Sequence, residues 1–254
     1  MEEIRWLLEE KYQGKRTLIE PEGSSEPERP AFLRDLKRLK KGEHVDYLIG
    51  WKPFLNCKID LRYKPLIPRV ETEYWVEKAI KDLRSASISC LDIFAGSGCI
   101  GISVLRIISS AHVDFAEKEK KFCKQIVLNA KLNKITRSRY KVIQSNMFSK
   151  VRGKYDYIFA NPPYLAESKK QKVQKSVLAQ EPHGALFGGK DGLKYIRLFL
   201  NQVKDFLAKN GIIYLEFDSF QKRGVEKLLK KFGYSAWQFH KDQYGKWRFA
   251  VIFS

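Results

Sequence analysis

The second half of the chain alternates between short apolar runs and segments whose apolar residues recur at helical spacing. Five runs bounded by polar or turn-forming residues are typical of buried strands and span residues 88–94, 112–117, 140–145, 155–160 and 211–217. Four helically spaced segments accompany them at residues 99–109, 119–132, 191–208 and 219–232. This alternation predicts βαβ units and a mainly parallel sheet.

The end of the chain follows a different pattern. Two further apolar runs, at residues 235–240 and 247–253, are joined only by the short segment KDQYGK. A parallel crossover needs about a dozen residues or more, so these two runs are expected to pair as an antiparallel hairpin at the end of the sheet. The fold class predicted is therefore α/β, with a mainly parallel seven-stranded sheet that ends in an antiparallel hairpin.

The first part of the chain is predicted to hold short helices and a connector. Apolar residues form two helical faces, one with Ile4, Leu7 and Leu8 and one with Phe32, Leu33, Leu36 and Leu39. A loop separates them, marked by Pro21, Gly23, Ser24, Ser25, Pro27 and Pro30. The loose alternation from Tyr47 to Tyr63 predicts a hairpin or short strands rather than a helix, and a helix is expected over residues 71–83. We divide the chain into a helical region (1–45), a connector with a leading helix (46–84) and the α/β domain (85–254).

Composition limits the class of protein. The 254-residue chain is 44% hydrophobic and 30% charged, values that are typical of a globular protein and exclude a disordered or collagen-like one. Its four cysteines are widely spaced and histidine is scarce, so neither a disulfide framework nor a metal site is predicted. The apolar stretches are too short to span a membrane, and the N-terminus lacks the features of a secretory signal. We expect a cytoplasmic monomer with no membrane partner.

The net charge of +19 adds two open interpretations, because 48 basic residues face only 29 acidic ones. Such a surface favours polyanions, which places the ribosome or RNA among the candidate neighbours. A solubilising lysine coat is the other interpretation. The basic residues are densest at 118–141, with nine basic residues and one acid, and at 169–175.

A glycine-rich turn follows the first strand of the predicted array, in the sequence Asp92-Ile93-Phe94-Ala95-Gly96-Ser97-Gly98. Glycines let a ligand approach the backbone, and ligands of open α/β sheets bind beyond the carboxyl ends of the strands. Glu117, at the end of the second strand, is placed to bind ribose hydroxyls, so a dinucleotide such as NAD is compatible with this segment. The carboxyl of Asp92, however, suits a cationic amino group such as that of methionine better than a pyrophosphate.

A second motif, Asn161-Pro162-Pro163-Tyr164, comes directly after the strand at 155–160. Two consecutive prolines fix the backbone and remove two N–H donors. The Asn161 side-chain oxygen and the Pro162 carbonyl can then accept both hydrogens of a planar NH₂ group, while the Tyr164 ring lies against the π system behind it. The motif therefore predicts a pocket for a planar amino or amide group beside the glycine-rich turn.

Together, the two motifs resemble those of S-adenosylmethionine-dependent amino-methyltransferases, which have a Rossmann-like class I fold. Narrower matches resemble the HemK/PrmC family of release factor glutamine methyltransferases: Tyr47-Leu48-Ile49-Gly50, then Phe54, then Ile67-Pro68-Arg69-Val70-Glu71-Thr72-Glu73. Further matches are Gln144-Ser145-Asn146-Met147-Phe148, Glu181-Pro182, Ala185-Leu186 and Gly188-Gly189-Lys190-Asp191-Gly192-Leu193. The resemblance covers roughly residues 45 to 254.

The resemblance implies a set of roles. S-adenosylmethionine would be the cofactor, bound by Asp92, Phe94, Ala95, Gly96, Ser97, Gly98, Glu117, Asn146, Met147 and Asn161. Within that set, Glu117 would bind the ribose, and Asn146 and Met147 would flank the adenine, although an acid is usual in the family where Asn146 stands. The substrate glutamine would be held by Asn161, Pro162, Pro163 and Tyr164, of which Asn161, Pro162 and Tyr164 would act in catalysis. The implied partner is a peptide chain release factor, modified at the glutamine of its GGQ loop.

Three alternatives stay open at the level of the sequence. The NPPY motif is also found in enzymes that methylate adenine N6 or cytosine N4, and the basic segments would suit a nucleic-acid substrate, whose binding depends strongly on salt. Glutamine methylation of a ribosomal protein would use the same motifs. A cofactor-binding or ribosome-associated module without activity is the non-enzymatic alternative.

Overall fold

Three helices form the N-terminal region of the computed structural model, which describes residues 2–15, 28–83, 87–172 and 175–254. Helices α1 (Glu2–Lys11) and α2 (Arg29–Lys40) pack on the short helix α3 (Val45–Ile49). Their shared apolar cluster is fully buried at Leu7, Phe32 and Leu48, which confirms the small helical region.

Three predictions for the N-terminal region differ from the structure or fall on residues that it does not describe. The predicted loop falls largely on residues 16–27, outside the described part of the chain, but Pro30 belongs to the first turn of α2, where a missing N–H costs nothing. Leu33 is 48% exposed and does not contribute to the buried face. Residues 47–49 are helical rather than extended, because His44 caps α3 and Gly50 ends it with a φ of 90°.

A small hairpin and one helix connect this region to the main sheet. Strands β1 (Trp51–Phe54) and β2 (Cys57–Asp60) pair antiparallel, as the alternation predicted for this part. Helix α4 (Val70–Asp82) follows and buries Trp75 completely against aromatic residues of the sheet. The hairpin is fixed to the main domain by Asn129, whose amide oxygen accepts from the Asp60 N–H at 2.8 Å.

The main sheet has seven strands. They are β3 (Ile88–Ile93), β4 (Ala111–Glu117), β5 (Tyr140–Gln144), β6 (Tyr155–Ala160), β7 (Leu207–Glu216), β8 (Ala236–Lys241) and β9 (Trp247–Phe253). Their order is β5-β4-β3-β6-β7-β9-β8, with the first five parallel and β9 antiparallel to both neighbours. The prediction of a mainly parallel seven-stranded sheet with a terminal hairpin is confirmed.

Helices cover both faces of the sheet. They are α5 (Cys99–Ile107), α6 (Lys120–Leu132), α7 (Lys175–Gln180), α8 (His183–Leu186), α9 (Lys194–Gln202) and α10 (Lys222–Lys231). The helix predicted over residues 191–208 is wrong at both ends, because α9 spans only Lys194–Gln202. After α9 the chain makes a 3₁₀ turn (Val203–Phe206), and Leu207 already pairs with Tyr155 of β6. The predicted helix at 219–232 likewise begins with a 3₁₀ turn (Ser219–Gln221).

The strand order determines where the sheet opens a crevice. The chain runs outward from β3 to β5 and then crosses back to β6, so β3 and β6 are neighbours whose following loops diverge. Such a switch point opens a crevice at the carboxyl ends of the strands.

In the described part of the chain, the helices are all too short or too polar to cross a membrane.

Candidate functional site

A cavity of about 340 Å³ opens at the switch point between β3 and β6. Nine of the predicted site residues line it: Phe94, Ala95, Gly96, Ser97, Glu117, Asn146, Met147, Asn161 and Pro163. Asp92 and Gly98 do not line the cavity, and Pro162 and Tyr164 line a second, smaller one. The structure therefore brings most of the predicted residues together from four separate segments of the chain.

The turn after β3 has a backbone that its glycines make possible. Gly96 and Gly98 have φ angles of 54° and 78°, in the left-handed region that favours glycine. A side chain at Gly98 would also come within 3.1 Å of Ile126 on α6. Phe94 takes a φ of 63° itself, and its ring lies edge-on to that of Tyr195 from α9. The turn is thus shaped to expose backbone to the cavity while α6 closes in behind it.

Asp92 lies behind this turn. Its Oδ2 accepts the Gly101 N–H at 3.0 Å, which anchors the start of α5, and its Oδ1 has no hydrogen-bond partner in the described structure. Burial raises the pKa of Asp92 to about 8, against the lowering effect of the Gly101 amide. A role for Asp92 toward a cationic amino group stays a prediction, because the carboxyl does not form part of the cavity wall.

Glu117 ends β4 at the cavity wall. Its Oε2 accepts the Gly96 N–H and its Oε1 accepts the Glu119 N–H, both at 2.8 Å. These bonds tie the glycine-rich turn to the end of the neighbouring strand. Burial raises the pKa of Glu117, and the backbone hydrogen bonds act in the opposite direction. Each oxygen keeps a further lone pair, so the carboxylate can also accept hydrogen bonds from hydroxyls in the cavity.

The loop after β5 supplies the opposite side of the cavity. Asn146 is exposed, and Met147 has a φ of 51°. The Ser145 hydroxyl donates to the Met147 carbonyl at 2.7 Å, which holds this unusual backbone. A flat apolar group of a ligand in the cavity could pack on the Met147 side chain.

The NPPY segment joins the two cavities. Pro162 and Tyr164 line the smaller one, of about 130 Å³, and Asn161 lines both. Gln221 donates from its amide nitrogen to the Tyr164 carbonyl at 2.8 Å. A group bound in the smaller cavity would therefore meet a ligand of the larger one at Asn161.

A buried carboxylate lies behind the NPPY segment. Glu216, at the end of β7 and 1% exposed, accepts from the Tyr164 hydroxyl at 2.9 Å through Oε1. Its Oε2 accepts from the Thr72 hydroxyl at 2.8 Å and from the Trp75 indole N–H at 2.6 Å. The Asn161 Nδ2 in turn donates to the Thr72 hydroxyl oxygen at 3.4 Å. Burial raises the pKa of Glu216, and the three donors and Arg248 oppose that shift.

A second buried acid fastens the segment that precedes α4. Glu181, which is 3% exposed, accepts from the Arg69 guanidinium and from the Ile67 N–H. Arg69 and Ile67 both contribute to the cavity walls. The neighbouring Gln180 accepts the His44 N–H at 2.7 Å, so this loop also binds the N-terminal helices.

No role is predicted from the sequence for Thr72, Glu181, Glu216 or Gln221. All four lie within or beside segments with helical or strand patterns, and their partners are far away in the chain, up to 144 positions between Thr72 and Glu216. The signal available was the motif around Thr72 and the acidic end of the strand at 211–217. Among the described residues, no group of three or more His, Cys, Asp or Glu side chains is placed to hold a metal ion.

Comparisons with known proteins agree on one class. The family model described as methyltransferase small domain matches residues 78–190. A release factor glutamine methyltransferase from Lactococcus lactis is 33% identical to this chain, and the match covers 85% of this chain and 79% of the relative. A release factor glutamine methyltransferase from Borreliella burgdorferi is 32% identical, and the match covers 82% of this chain and 72% of the relative. The solved structure of a methyltransferase from Pyrococcus furiosus superposes with a TM-score of 0.59 at 19% identity, over 87% of this chain and 97% of that one. The last similarity concerns the fold.

Proposed function

The chain belongs to the release factor glutamine methyltransferase family, and from this premise we propose that it methylates the side-chain amide nitrogen of the GGQ glutamine in a release factor. The methyl donor is S-adenosylmethionine. We further propose that the larger cavity holds this cofactor and that the smaller one receives the glutamine.

The residues of the larger cavity fit S-adenosylmethionine. Glu117 offers acceptor lone pairs suited to ribose hydroxyls, and Met147, Ile100 and Phe122 provide apolar walls suited to adenine. The glycine-rich turn brings backbone to the wall without side-chain bulk. We assign the methionine part to the turn from Phe94 to Gly98 and the adenine to Asn146 and Met147.

The proposed reaction places a weak nucleophile in the correct orientation. When bound, S-adenosylmethionine supplies a methyl group on a positively charged sulfur, and the amide nitrogen displaces that sulfur while its proton leaves to water. Asn161 Oδ1 and the Pro162 carbonyl would accept the two amide hydrogens, hold the nitrogen toward the methyl group and stabilise the positive charge that develops on it. Tyr164 would pack on the planar amide.

The position of Asn161 carries the proposal. It is a side chain with both an acceptor and a donor, and it lines the two cavities at once. Because its donor is engaged by Thr72, the acceptor is the atom available to a substrate NH₂ group. This arrangement supports transfer to an amide or amino nitrogen rather than to carbon or oxygen.

One assay tests the substrate. The purified, nuclease-treated protein is incubated with labelled S-adenosylmethionine and, in parallel, with a release factor, ribosomal proteins, ribosomal RNA and DNA, and the methyl group is located by mass spectrometry. We expect label on the GGQ glutamine. Label on adenine or cytosine would contradict the proposal and assign the basic segments to substrate selection. Label on a glutamine of a ribosomal protein would show that the substrate is a ribosomal protein and not a release factor.

The proposal includes a cytoplasmic, monomeric enzyme that works near the ribosome. The observation that supports ribosome proximity is a lysine stripe on α6, formed by Lys120, Lys124 and Lys131. These three side chains are exposed, and in the part of the chain that the structure describes they form no ion pair. Their spacing places them on one face of the helix, opposite the buried face that contains Phe122 and Asn129.

A further inference from the structure

Thr72, Glu216 and the NPPY segment form a hydrogen-bonded chain with a defined direction. The Thr72 hydroxyl has one hydrogen, which it donates to Glu216 Oε2 at 2.8 Å. Its oxygen can therefore only accept from Asn161, so the Asn161 NH₂ group must point toward Thr72. The direction of the chain fixes Asn161 Oδ1 on the opposite side of the amide.

The other oxygen of the same carboxylate holds Tyr164. Its hydroxyl donates to Glu216 Oε1 at 2.9 Å, which fixes the ring at the edge of the smaller cavity. Trp75 adds a third donor from α4. A carboxylate that accepts three hydrogen bonds in a buried place is held in one orientation, because each donor would lose its partner if the carboxylate rotated.

We infer that Glu216 is a positioning residue for methyl transfer: through Thr72 it orients the acceptor of Asn161, and directly it holds Tyr164. This inference rests on the proposed function. Glu216 lines neither cavity, so it acts through these two side chains and not on the substrate. Two of these donors, Thr72 and Trp75, lie on α4 and would also hold that helix against β7, and the experiment must separate this structural contribution from the orientation of Asn161.

Two substitutions of Thr72 make that separation. Thr72→Val keeps the shape of the side chain and removes the hydroxyl, which breaks the link to Asn161 but leaves Tyr164 and Trp75 on Glu216. Thr72→Ser keeps the hydroxyl and serves as the matched control. If the side chain acts by orienting Asn161, serine restores activity, whereas a role in packing alone is restored by valine.

The kinetic result expected is a loss in turnover that exceeds any loss in cofactor binding. We expect Thr72→Val to lower kcat for the release factor about tenfold at saturating cofactor, the effect of about one hydrogen bond. Because Thr72 also lines the larger cavity, the Kd of S-adenosylhomocysteine is measured for each variant, and it should change less than kcat. Thr72→Ser should stay close to the parent protein. In Glu216→Gln, an NH₂ group replaces one of the two carboxylate oxygens and faces a hydrogen-bond donor, so this variant should lower kcat further. Parental kcat in Thr72→Val, or equal losses in the valine and serine variants, would overturn the inference.

A second measurement needs no substrate. In protein labelled with ¹⁵N-asparagine, the side-chain NH₂ resonances of Asn161 are identified by their loss in Asn161→Asp. They should move in Thr72→Val and in Glu216→Gln and keep their place in Thr72→Ser. If the parent protein fails to methylate the release factor, the proposed function is wrong, while these resonances still decide whether Glu216 and Thr72 orient Asn161. Unchanged Asn161 resonances in Thr72→Val would overturn the inference.

Discussion

Asn161 is the residue on which the proposed chemistry depends most. Asn161→Ala removes the acceptor for the substrate NH₂ group, and with it the stabilisation of the charge that develops on nitrogen. We expect kcat to fall by about 10²-fold or more, by analogy with the loss of one oxyanion-hole donor. Cofactor binding should largely persist, because Glu117 and the turn after β3 are untouched.

The measurement for Asn161→Ala is single-turnover methylation of the release factor beside calorimetric titration with S-adenosylhomocysteine. The control is Asn201→Ala, which changes an exposed asparagine on α9 that lines neither cavity. Equal turnover by Asn161→Ala and the parent protein would refute the assignment of Asn161 to the substrate.

Asp92 leads to a prediction about pH and stability. Its pKa is about 8 in the folded protein and 3.8 in a model peptide, so the folded state retains a proton that the unfolded state has lost. Stability from this group is fully present below about pH 4 and is lost as the pH rises to about 8. Asp92→Asn cannot ionise, so its stability relative to the parent protein should improve by about 4 kcal/mol between about pH 5 and about pH 9.

Chemical denaturation of the cofactor-free parent and Asp92→Asn proteins at both ends of this range gives the comparison. The asparagine can still accept the Gly101 N–H, so the start of α5 is preserved. A difference in unfolding free energy that does not change with pH would show that Asp92 is ionised in the folded protein.

At the scale of elements, α5 packs on β4 more closely than any side chain would allow at Gly101. An added Cβ would overlap the Phe115 ring and lie 2.8 Å from Val113 Cγ1. Both residues belong to β4 and are fully buried, so they cannot move aside. Gly101→Ala is expected to lower the free energy of unfolding by about 1–3 kcal/mol through overpacking.

A second glycine provides the control for this substitution. Gly184 lies in α8, and an added Cβ there meets no atom within 4 Å. Gly184→Ala should leave the free energy of unfolding unchanged or raise it by up to about 1 kcal/mol. Thermal and denaturant unfolding of both variants test the prediction, which fails if Gly101→Ala is as stable as the parent protein.

Most elements of the α/β part could be predicted from the sequence, because the inner strands β3, β4 and β6 are buried on both faces and the helices on one. The strand expected at 155–160 is observed as Tyr155–Ala160, and the hairpin follows from a connection too short for a crossover. The pattern fails where an element depends on its neighbours. Leu207 belongs to a strand because β6 pairs with it, and residues 47–49 are helical because His44 and Gly50 cap them.

At the scale of the whole molecule, the sequence predicts which loops meet at the cavity. It does not predict the buried hydrogen bonds that support those loops. Any parallel sheet of this order brings the ends of β3, β4 and β6 together, so the predicted residues converge on one cavity. The contacts of Glu216 with Thr72 and Tyr164 join segments that share no local pattern. The contact with Thr72 follows from the packing of α4 against β7, and the contact with Tyr164 follows from the pairing of β6 with β7. No single segment encodes either of them.

The net charge of +19 allows a test that separates a local binding surface from a general solubilising coat. Substitution of the lysine stripe on α6 by glutamate at Lys120, Lys124 and Lys131 changes the net charge by −6. Three exposed lysines of α10, Lys227, Lys230 and Lys231, allow the same change elsewhere on the surface. The two variants are thus matched in net charge, and the α10 variant also loses the ion pair between Lys230 and Glu226.

If the stripe contacts phosphates, the α6 variant should lose RNA affinity and the α10 variant should not. The slope of log affinity against log salt should also fall by up to about three in the α6 variant, since each lost phosphate contact removes about 0.7–0.9. Fluorescence anisotropy with a short RNA hairpin at several salt concentrations measures both quantities. Methylation of the isolated release factor should be the same in both variants, because the stripe lies on the solvent face of α6 and does not line the cavity. Equal loss of RNA binding in both variants would instead indicate that net charge alone attracts RNA, and the stripe would then have no role beyond solubility.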